Sequence, residues 1–426
     1  MVNPRSPFPL RVAKTPGMEE GEIARITSWI MKQGLAGVSE KDLLYGFCEE
    51  CQAAGVEFSA AVTIIDTLHP IYEGRAFFWR ADGLEEEPEL QYESTSEGEG
   101  AERWKESAFF HLLQRGESEL RRRFCQGDPA DFRSLEEIKE AGATDCLAMV
   151  HRFDSERVIG EMDCFYSNWT TNHPEGFTDA EVGALRRLVP ALGLATKCAS
   201  LTRIAGTLVE VYLGRDAGRR VLEGRISRGV TERINAVLWF SDLRGYTTIT
   251  DAAPPDEIIP LLNDYAEVVI SAIHEAGGDV LKLVGDGTLA IFNATDSAEA
   301  CRCALQAEAN LRNKLAELNK RRAEEKRPLT TVYIGLHIGD VFYGNIGSDE
   351  RLDFTVVGPA VNEVSRIVAM CRSVDRNIVM SSNFAAATPE PERSKLVSVG
   401  RYALRGVGRA QELFTIDPAL CSDEKL

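Results

Sequence analysis

The chain has 426 residues, enough for two or three ordinary cores rather than one. Its 48 Lys and Arg stand against 66 Asp and Glu, a net charge of −18, which argues against a nucleic-acid surface because phosphate backbones demand clustered cations. A hydrophobic share of 44% suits a globular protein, and no apolar run approaches the ~20 residues of a membrane span.

Residues 1–17 (MVNPRSPFPLRVAKTPG) are basic and proline-bearing without an apolar h-region, so they read as a flexible N-terminus and not a signal peptide; the expected location is cytoplasmic. Helices are expected over Met18–Gly37 and Glu40–Ala54, the second with Leu43, Leu44, Phe47 and Cys51 on one face. Val56–Asp66 and Ala76–Arg80 read as strands, and acidic Asp82–Glu102 as a solvated loop. Helices follow over Trp104–Arg115 and about Leu135–Ala141, then neighbouring strands over Cys146–His151 and Ile159–Tyr166. Thr178 can cap a helix whose third position is Glu181, with Leu185, Leu188, Leu192 and Ala195 as its apolar stripe. The stripe continues through Leu201, Ile204, Leu208 and Val211. That spacing suits either a short parallel coiled coil or one long helix packed on its own domain. Gly214–Gly229 is a basic linker that could carry a signal.

The Cys48–Cys51 and Cys301–Cys303 pairs lack the second pair or nearby histidines of a zinc site and read as ordinary thiols. His69, His111, His151 and His173 are isolated from one another in the sequence, which suits structural roles better than haem or metal ligation.

At Thr231 the pattern changes. Ile234–Phe240 is a short buried strand ending at Ser241-Asp242-Leu243-Arg244-Gly245-Tyr246-Thr247, where an acid at a strand end can hold a cation and a glycine turn can face phosphate oxygens. Pro254 and Pro255 open a helix with Ile258, Leu261, Leu262, Tyr265, Val268, Val269 and Ala272 on its apolar face, and Gly277-Gly278 ends it. Asp279–Phe292 is a hairpin turning at Gly285-Asp286-Gly287, with Lys282 four residues before Asp286. A charged helix spans about Ser297–Glu324. Thr330–His337 and Val341–Ile346 are expected to form a second hairpin around Gly339-Asp340. In the next segment Asn362 and Arg366 share one helix face, while Val361, Val364 and Val368 point to the core.

This order outlines an antiparallel, ferredoxin-like sheet covered by helices. Within it, FSDLRGYT (Phe240–Thr247), GGDVLKLVGDG (Gly277–Gly287), YGNIG (Tyr343–Gly347) and DFTVVGPAVNEVSR (Asp353–Arg366) resemble the signature segments of class III nucleotidyl cyclases, in family order, over residues 231–416. The layout of residues 20–200 resembles a GAF-type sensor domain. The implied fold class is α+β: a flexible segment 1–17, an α/β GAF-like domain 18–199, a helical linker 200–230, a catalytic domain 231–418 and a tail 419–426.

The resemblance implies an adenylate cyclase that converts ATP to 3′,5′-cyclic AMP and pyrophosphate. Asp242 and Asp286, with the Leu243 carbonyl, would hold two Mg²⁺ or Mn²⁺ ions per site. The backbone of Leu243, Arg244, Gly245, Tyr246 and Thr247 would cradle the triphosphate, Asn362 would orient the ribose, and Arg366 would stabilise charge at the α-phosphate. Lys282 and Thr355 match the base-reading positions. Guanylate cyclases usually carry Glu at the lysine position, and Thr in place of the commoner Asp resembles a subgroup that includes bicarbonate-responsive enzymes. Family sites are shared between subunits, and this chain carries both sets, so a homodimer with two equivalent sites is implied. Where some members have an Arg after the hairpin glycine, Asp340 follows Gly339, leaving Arg244, Arg405 and Arg409 as candidates for the terminal phosphates. A guanylate cyclase and a non-catalytic cyclase-like module are the alternatives. The ligand or partner of the sensor is not readable.

Overall fold

The computed structural model describes residues 18–84, 87–153, 159–160, 162–293, 296–417 and 419. The flexible segment expected over 1–17 and most of the tail after 418 lie outside the described residues. These residues form two compact units that divide between Leu208 and Val209. No helix among the described residues is long and apolar enough to cross a membrane.

In the first unit, two amphipathic helices, α1 (Glu20–Leu35) and α2 (Glu40–Ala53), precede β1 (Ala60–Asp66) and β2 (Gly74–Arg80). Then come β3 (Glu89–Tyr92), α3 (Gly98–Lys105), α4 (Ala108–Arg115), β4 (Glu119–Arg122), α5 (Arg133–Glu140), β5 (Asp145–Arg152), β6 (Cys164–Thr171) and α6 (Asp179–Leu213). The six strands form one antiparallel sheet in the order β3-β2-β1-β6-β5-β4. On one sheet face, Ile26, Ile30, Phe47, Phe165, Trp169 and Leu188 pack the main core. Each such large side chain removed from water contributes about 1.5–3 kcal/mol.

Several expectations shift here. Asp82–Glu102 contains strand β3 and the start of α3, because an edge strand can pair along β2 through its backbone whatever its side chains. The single helix expected over Trp104–Arg115 is two, since the Ser107 hydroxyl accepts from the Phe110 N–H at 3.1 Å and caps a new start. The strand placed at Ile159–Tyr166 runs instead over Cys164–Thr171, paired with β1 and β5. The cap at Thr178 forms reciprocally: Thr178 Oγ1 accepts from the Glu181 N–H (3.2 Å), and Glu181 Oε2 accepts from the Thr178 N–H (2.6 Å).

The long stripe on α6 is largely consumed inside this unit. Ile204 is buried in its core and Leu201 and Leu208 pack against it, so of the expected seam only Val211 is exposed. Buried Glu40 reinforces this packing by accepting from Ser200 Oγ (3.0 Å) and pairing with Arg203. The isolated histidines have local partners: His69 Nδ1 accepts from the Ile71 N–H, His111 lies against Phe132, and His173 Nδ1 accepts from the Glu175 N–H. Burial holds the His151 imidazole below its usual range.

The second unit takes in the end of α6 from Val209, then α7 (Arg215–Leu222), β7 (Thr231–Leu243), α8 (Tyr246–Ala252), α9 (Pro255–Glu275), β8 (Asp279–Val284), β9 (Gly287–Phe292) and α10 (Ser297–Glu324). It continues with β10 (Val332–Gly347), β11 (Leu352–Val357), α11 (Pro359–Val374), β12 (Ile378–Ser381), α12 (Ser382–Ala387), β13 (Leu396–Tyr402) and β14 (Gln411–Ile416). The sheet runs β13-β14-β12-β10-β7-β9-β8, with β11 paired to the far end of β10. It is antiparallel except for β10 beside β12. Trp239, Tyr265, Phe292 and Leu311 pack beneath α9 and α10, while Leu238, Tyr343, Val356 and Val364 fill the side carrying α7 and α11.

One expectation fails. Gly339-Asp340 is no hairpin turn: β10 is continuous through it, paired to β7 along its length, and the turn lies at residues 348–351. The glycine answers a packing need, since a Cβ there would sit 2.9 Å from Ala360 Cβ. Asp340 projects outward and accepts from Arg233 Nη2 (2.5 Å) and Asn235 Nδ2 (2.8 Å).

Candidate active site

Strand β7 is held on both sides, with Ser241 opposite Thr288 of β9 and Asp242 opposite Tyr333 of β10. Asp242 therefore stands one position past the last β9 pair. The tight turn between β8 and β9 puts Asp286 beside that strand end. Gly287 allows the approach, because a Cβ there would meet the Ser241 carbonyl oxygen at 2.7 Å. Asp286 Oδ2 accepts from the Leu243 N–H at 3.3 Å.

The two carboxyl groups lie within hydrogen-bonding reach of each other. Burial, then the hydrogen bond to Asp286 and its like charge, push the Asp242 carboxyl up to about 6. Beside them is a cavity of about 180 Å³, lined by Asp242, Asp286, Asn263, Leu262, Tyr265 and Leu283 among others. Two adjacent carboxylates under mutual repulsion are a hard-oxygen site short of positive charge, which fits Mg²⁺ or Mn²⁺. Among the described residues no group of three or more His, Cys, Asp or Glu could hold a metal. An ion here must therefore complete its shell with carbonyl, water or substrate oxygens, the usual situation for Mg²⁺ at a nucleotide.

A stability consequence follows. The Asp242 pKa is raised on folding, so the folded chain binds more protons than the unfolded one between roughly pH 4 and pH 6. Without metal, stability falls as pH rises through that window, and the penalty is complete above it. Asp242→Asn is expected to stabilise the metal-free protein at pH ~7.5 by about 1 kcal/mol, discounted for partial exposure, or about 2–4 °C in Tm. At pH ~4 the gain should vanish. Melting curves in EDTA check this, and equal Tm values at both pH values would contradict it.

The turn after Asp242 is partly committed. The Leu243 N–H serves Asp286, and the Arg244 N–H donates to the Thr331 carbonyl at 2.9 Å. As α8 opens at Tyr246, the N–H groups of Gly245, Tyr246 and Thr247 have no intrahelical acceptor. Of the five residues, these three keep free donors.

The other predicted residues stand outside this small cavity. Lys282 on β8 pairs through Nζ with Asp353 on β11. Thr355, two residues along β11, lies on the same strand face and is 7% exposed. Asn362 and Arg366 share the exposed face of α11, while Val364 and Val368 are buried and Val361 half-buried, as their spacing predicts. Arg405 and Arg409 lie exposed between β13 and β14, and Arg244 stacks over Tyr333 at 5.9 Å. Among the described residues that line the 180 Å³ cavity, none of Lys282, Thr355, Asn362 or Arg366 appears. Sequence reasoning missed Asp353 and Asn263. Asp353 had a readable signal, standing two positions before Thr355 on a strand. Asn263 had none, being one polar residue on the outer face of a helix.

Residues 230–417 match the family model of the adenylate and guanylate cyclase catalytic domain. Among curated relatives, the adenylate cyclase of Anabaena cylindrica is 34% identical over 175 residues, covering 40% of this chain and 34% of that protein. Adenylate cyclase 1 of Rhizobium meliloti is 26% identical, covering 48% of this chain and 31% of its own length. The chain thus spans about a third of the length of these relatives. Of solved structures, the guanylyl cyclase Cya2 is 25% identical with a TM-score of 0.39, covering 44% of this chain and 93% of that one. The adenylyl cyclase CyaB from P. aeruginosa is 22% identical with a TM-score of 0.40, covering 46% and 98%.

Proposed function

We propose that the chain is an adenylate cyclase that turns ATP into 3′,5′-cyclic AMP and pyrophosphate in a homodimer, under control of its N-terminal unit. The observation that carries this is the pairing of Asp242 with Asp286 at a strand end and turn tip, where burial and then Asp286 raise the Asp242 pKa. Two acids without a cation partner are costly to hold together unless a cation arrives.

In this reading Asp242, Asp286 and the Leu243 carbonyl hold two divalent ions. Those ions supply Lewis acidity that lowers the 3′-hydroxyl pKa and neutralises the triphosphate. The chain's own groups do the rest. The free N–H groups of Gly245, Tyr246 and Thr247 receive phosphate oxygens. Arg366, planar and always charged, faces the α-phosphate as charge builds there, and Asn362 fixes the ribose. Lys282 donates to an adenine ring nitrogen, and the Thr355 hydroxyl accepts from the exocyclic amine. Because these four residues stand outside the aspartate cavity, the reading assigns them to the site completed by the partner, giving two equivalent sites per dimer.

The ion pair with Asp353 keeps the Lys282 ammonium from roaming. Asp353→Ala is expected to lower the ATP-over-GTP ratio of kcat/KM by about tenfold, about 1.4 kcal/mol of discrimination. An unchanged ratio would exclude this role.

A guanylate cyclase is the second reading, favoured by nothing at Lys282, and a module without turnover is the third. Incubating the full chain with ATP or GTP and Mg²⁺ or Mn²⁺, followed by chromatography, separates all three. Cyclic AMP is the expected product. Cyclic GMP alone, or no product with either ion, would overturn the proposal.

For the first unit, a six-stranded antiparallel sheet flanked by helices supports the GAF-type sensor reading. A redox signal through Cys48 and Cys51 is disfavoured, because both thiols are fully buried and burial pushes the Cys51 pKa up.

A further inference from the structure

The face of the first sheet opposite its main core carries several short side chains. Ala60, Ala76 and Ala148 sit there beside Val62, Ile64 and Phe78. Ala148 packs against Ala108 and Leu112 of α4, and beside that contact the sheet face and helices α3, α4 and α5 line a cavity of about 1680 Å³. That exceeds the ~300–1,000 Å³ of common small-molecule sites.

Two features of its lining define what fits. One wall is aromatic: Trp104 stands edge-on to Tyr166 with ring centroids 5.5 Å apart, and Phe109 lies 5.4 Å from the same tyrosine. The rim is acidic. Asp66, Glu73, Glu93, Glu97, Glu99 and Asp163 line the cavity, against the two arginines Arg80 and Arg103, and among its described residues there is no lysine or histidine. Arg80 is already paired with Asp82. Asp66 lies 8% exposed and accepts from Tyr92 Oη at 2.6 Å. Low-dielectric walls focus such a field, so an anion would enter against it while a cation is drawn in. Aromatic faces then hold the cation further through their quadrupoles.

We propose that this cavity binds a planar, multi-ring aromatic molecule bearing a positive charge. The inference is independent of the cyclase reading, since it concerns the first unit alone.

Proflavine is a suitable probe, and anilinonaphthalene sulfonate is an anionic aromatic of similar size. Both are titrated fluorimetrically into the full chain at about 0.15 M salt. Saturable binding of one proflavine per chain is expected, at least about tenfold tighter than the sulfonate and not displaced by ATP. Ala76→Phe, which fills the floor, should weaken proflavine by about tenfold or more at unchanged Tm. The exposed rim pair Glu97→Gln and Glu99→Gln should narrow the gap between the two dyes without disturbing folding, and this variant serves if the first is unstable. The proposal falls if proflavine does not saturate, if the sulfonate binds as tightly, if ATP displaces the dye, or if the rim pair leaves the gap unchanged.

Discussion

Asp286→Ala is expected to lower the rate of cyclic AMP formation by at least ~10³-fold while the chain stays folded. The reason lies in how few ligands are available. With two carboxylates at the site, losing one leaves a monodentate or single-carboxylate grip on ions that must bring the 3′-hydroxyl and the α-phosphate together. The fold should tolerate the change, because Asp286 sits on a turn whose shape is set by the glycines beside it. Its hydrogen bond from the Leu243 N–H is long, at 3.3 Å. Removing a like charge next to Asp242 also relieves repulsion. Raising Mn²⁺ should recover little of the loss. Activity within about tenfold of the parent at saturating Mg²⁺ would show that the aspartate pair is not the metal grip.

Arg366→Ala should cost about 10²–10³ in kcat with KM changed by a few-fold at most, the pattern of a contact made in the transition state and not in the ground state. Arg366 stands exposed on α11, whose attachment rests on Val364, Ile367 and Val368, so stability should move by less than about 0.5 kcal/mol. Arg366→Lys should recover only part, since an ammonium keeps the charge but not the planar fork. A KM effect with kcat intact would move Arg366 from the reacting phosphate to ground-state binding.

What could be read from the sequence was what local chemistry dictates. A buried strand ending in an acid and a Gly-Asp-Gly turn marked Asp242 and Asp286 as a candidate pair, while the roles of both, and of Lys282, came from the family resemblance. The 3.6-residue spacing set the faces of α9 and α11. Misreadings arose where a residue served a distant partner. Gly339 has the look of a turn, but its lack of a side chain makes room for Ala360 on α11. The acidic run before Trp104 looks like solvent-facing loop, yet an edge strand can pair through its backbone alone, and Glu89–Tyr92 does so along β2. The stripe through Ile204 is open to two readings on its spacing alone, and it packs on its own unit. Asp353 was passed over because a surface acid is ordinary until its partner on another strand is known. The large cavity of the first unit was invisible for a related reason: alanines on a strand leave no sign of whether a neighbour fills the space they free.

The most direct test of a shared two-aspartate site is a mixture of two inactive chains, Asp242→Ala and Arg366→Ala, assayed for cyclic AMP from ATP. Random pairing puts about half of the dimers in the mixed form, each with one intact site, so recovery should approach about a quarter of the parental activity. Activity no greater than the sum of the two variants alone would contradict a site built by one subunit's aspartates and the other's arginine.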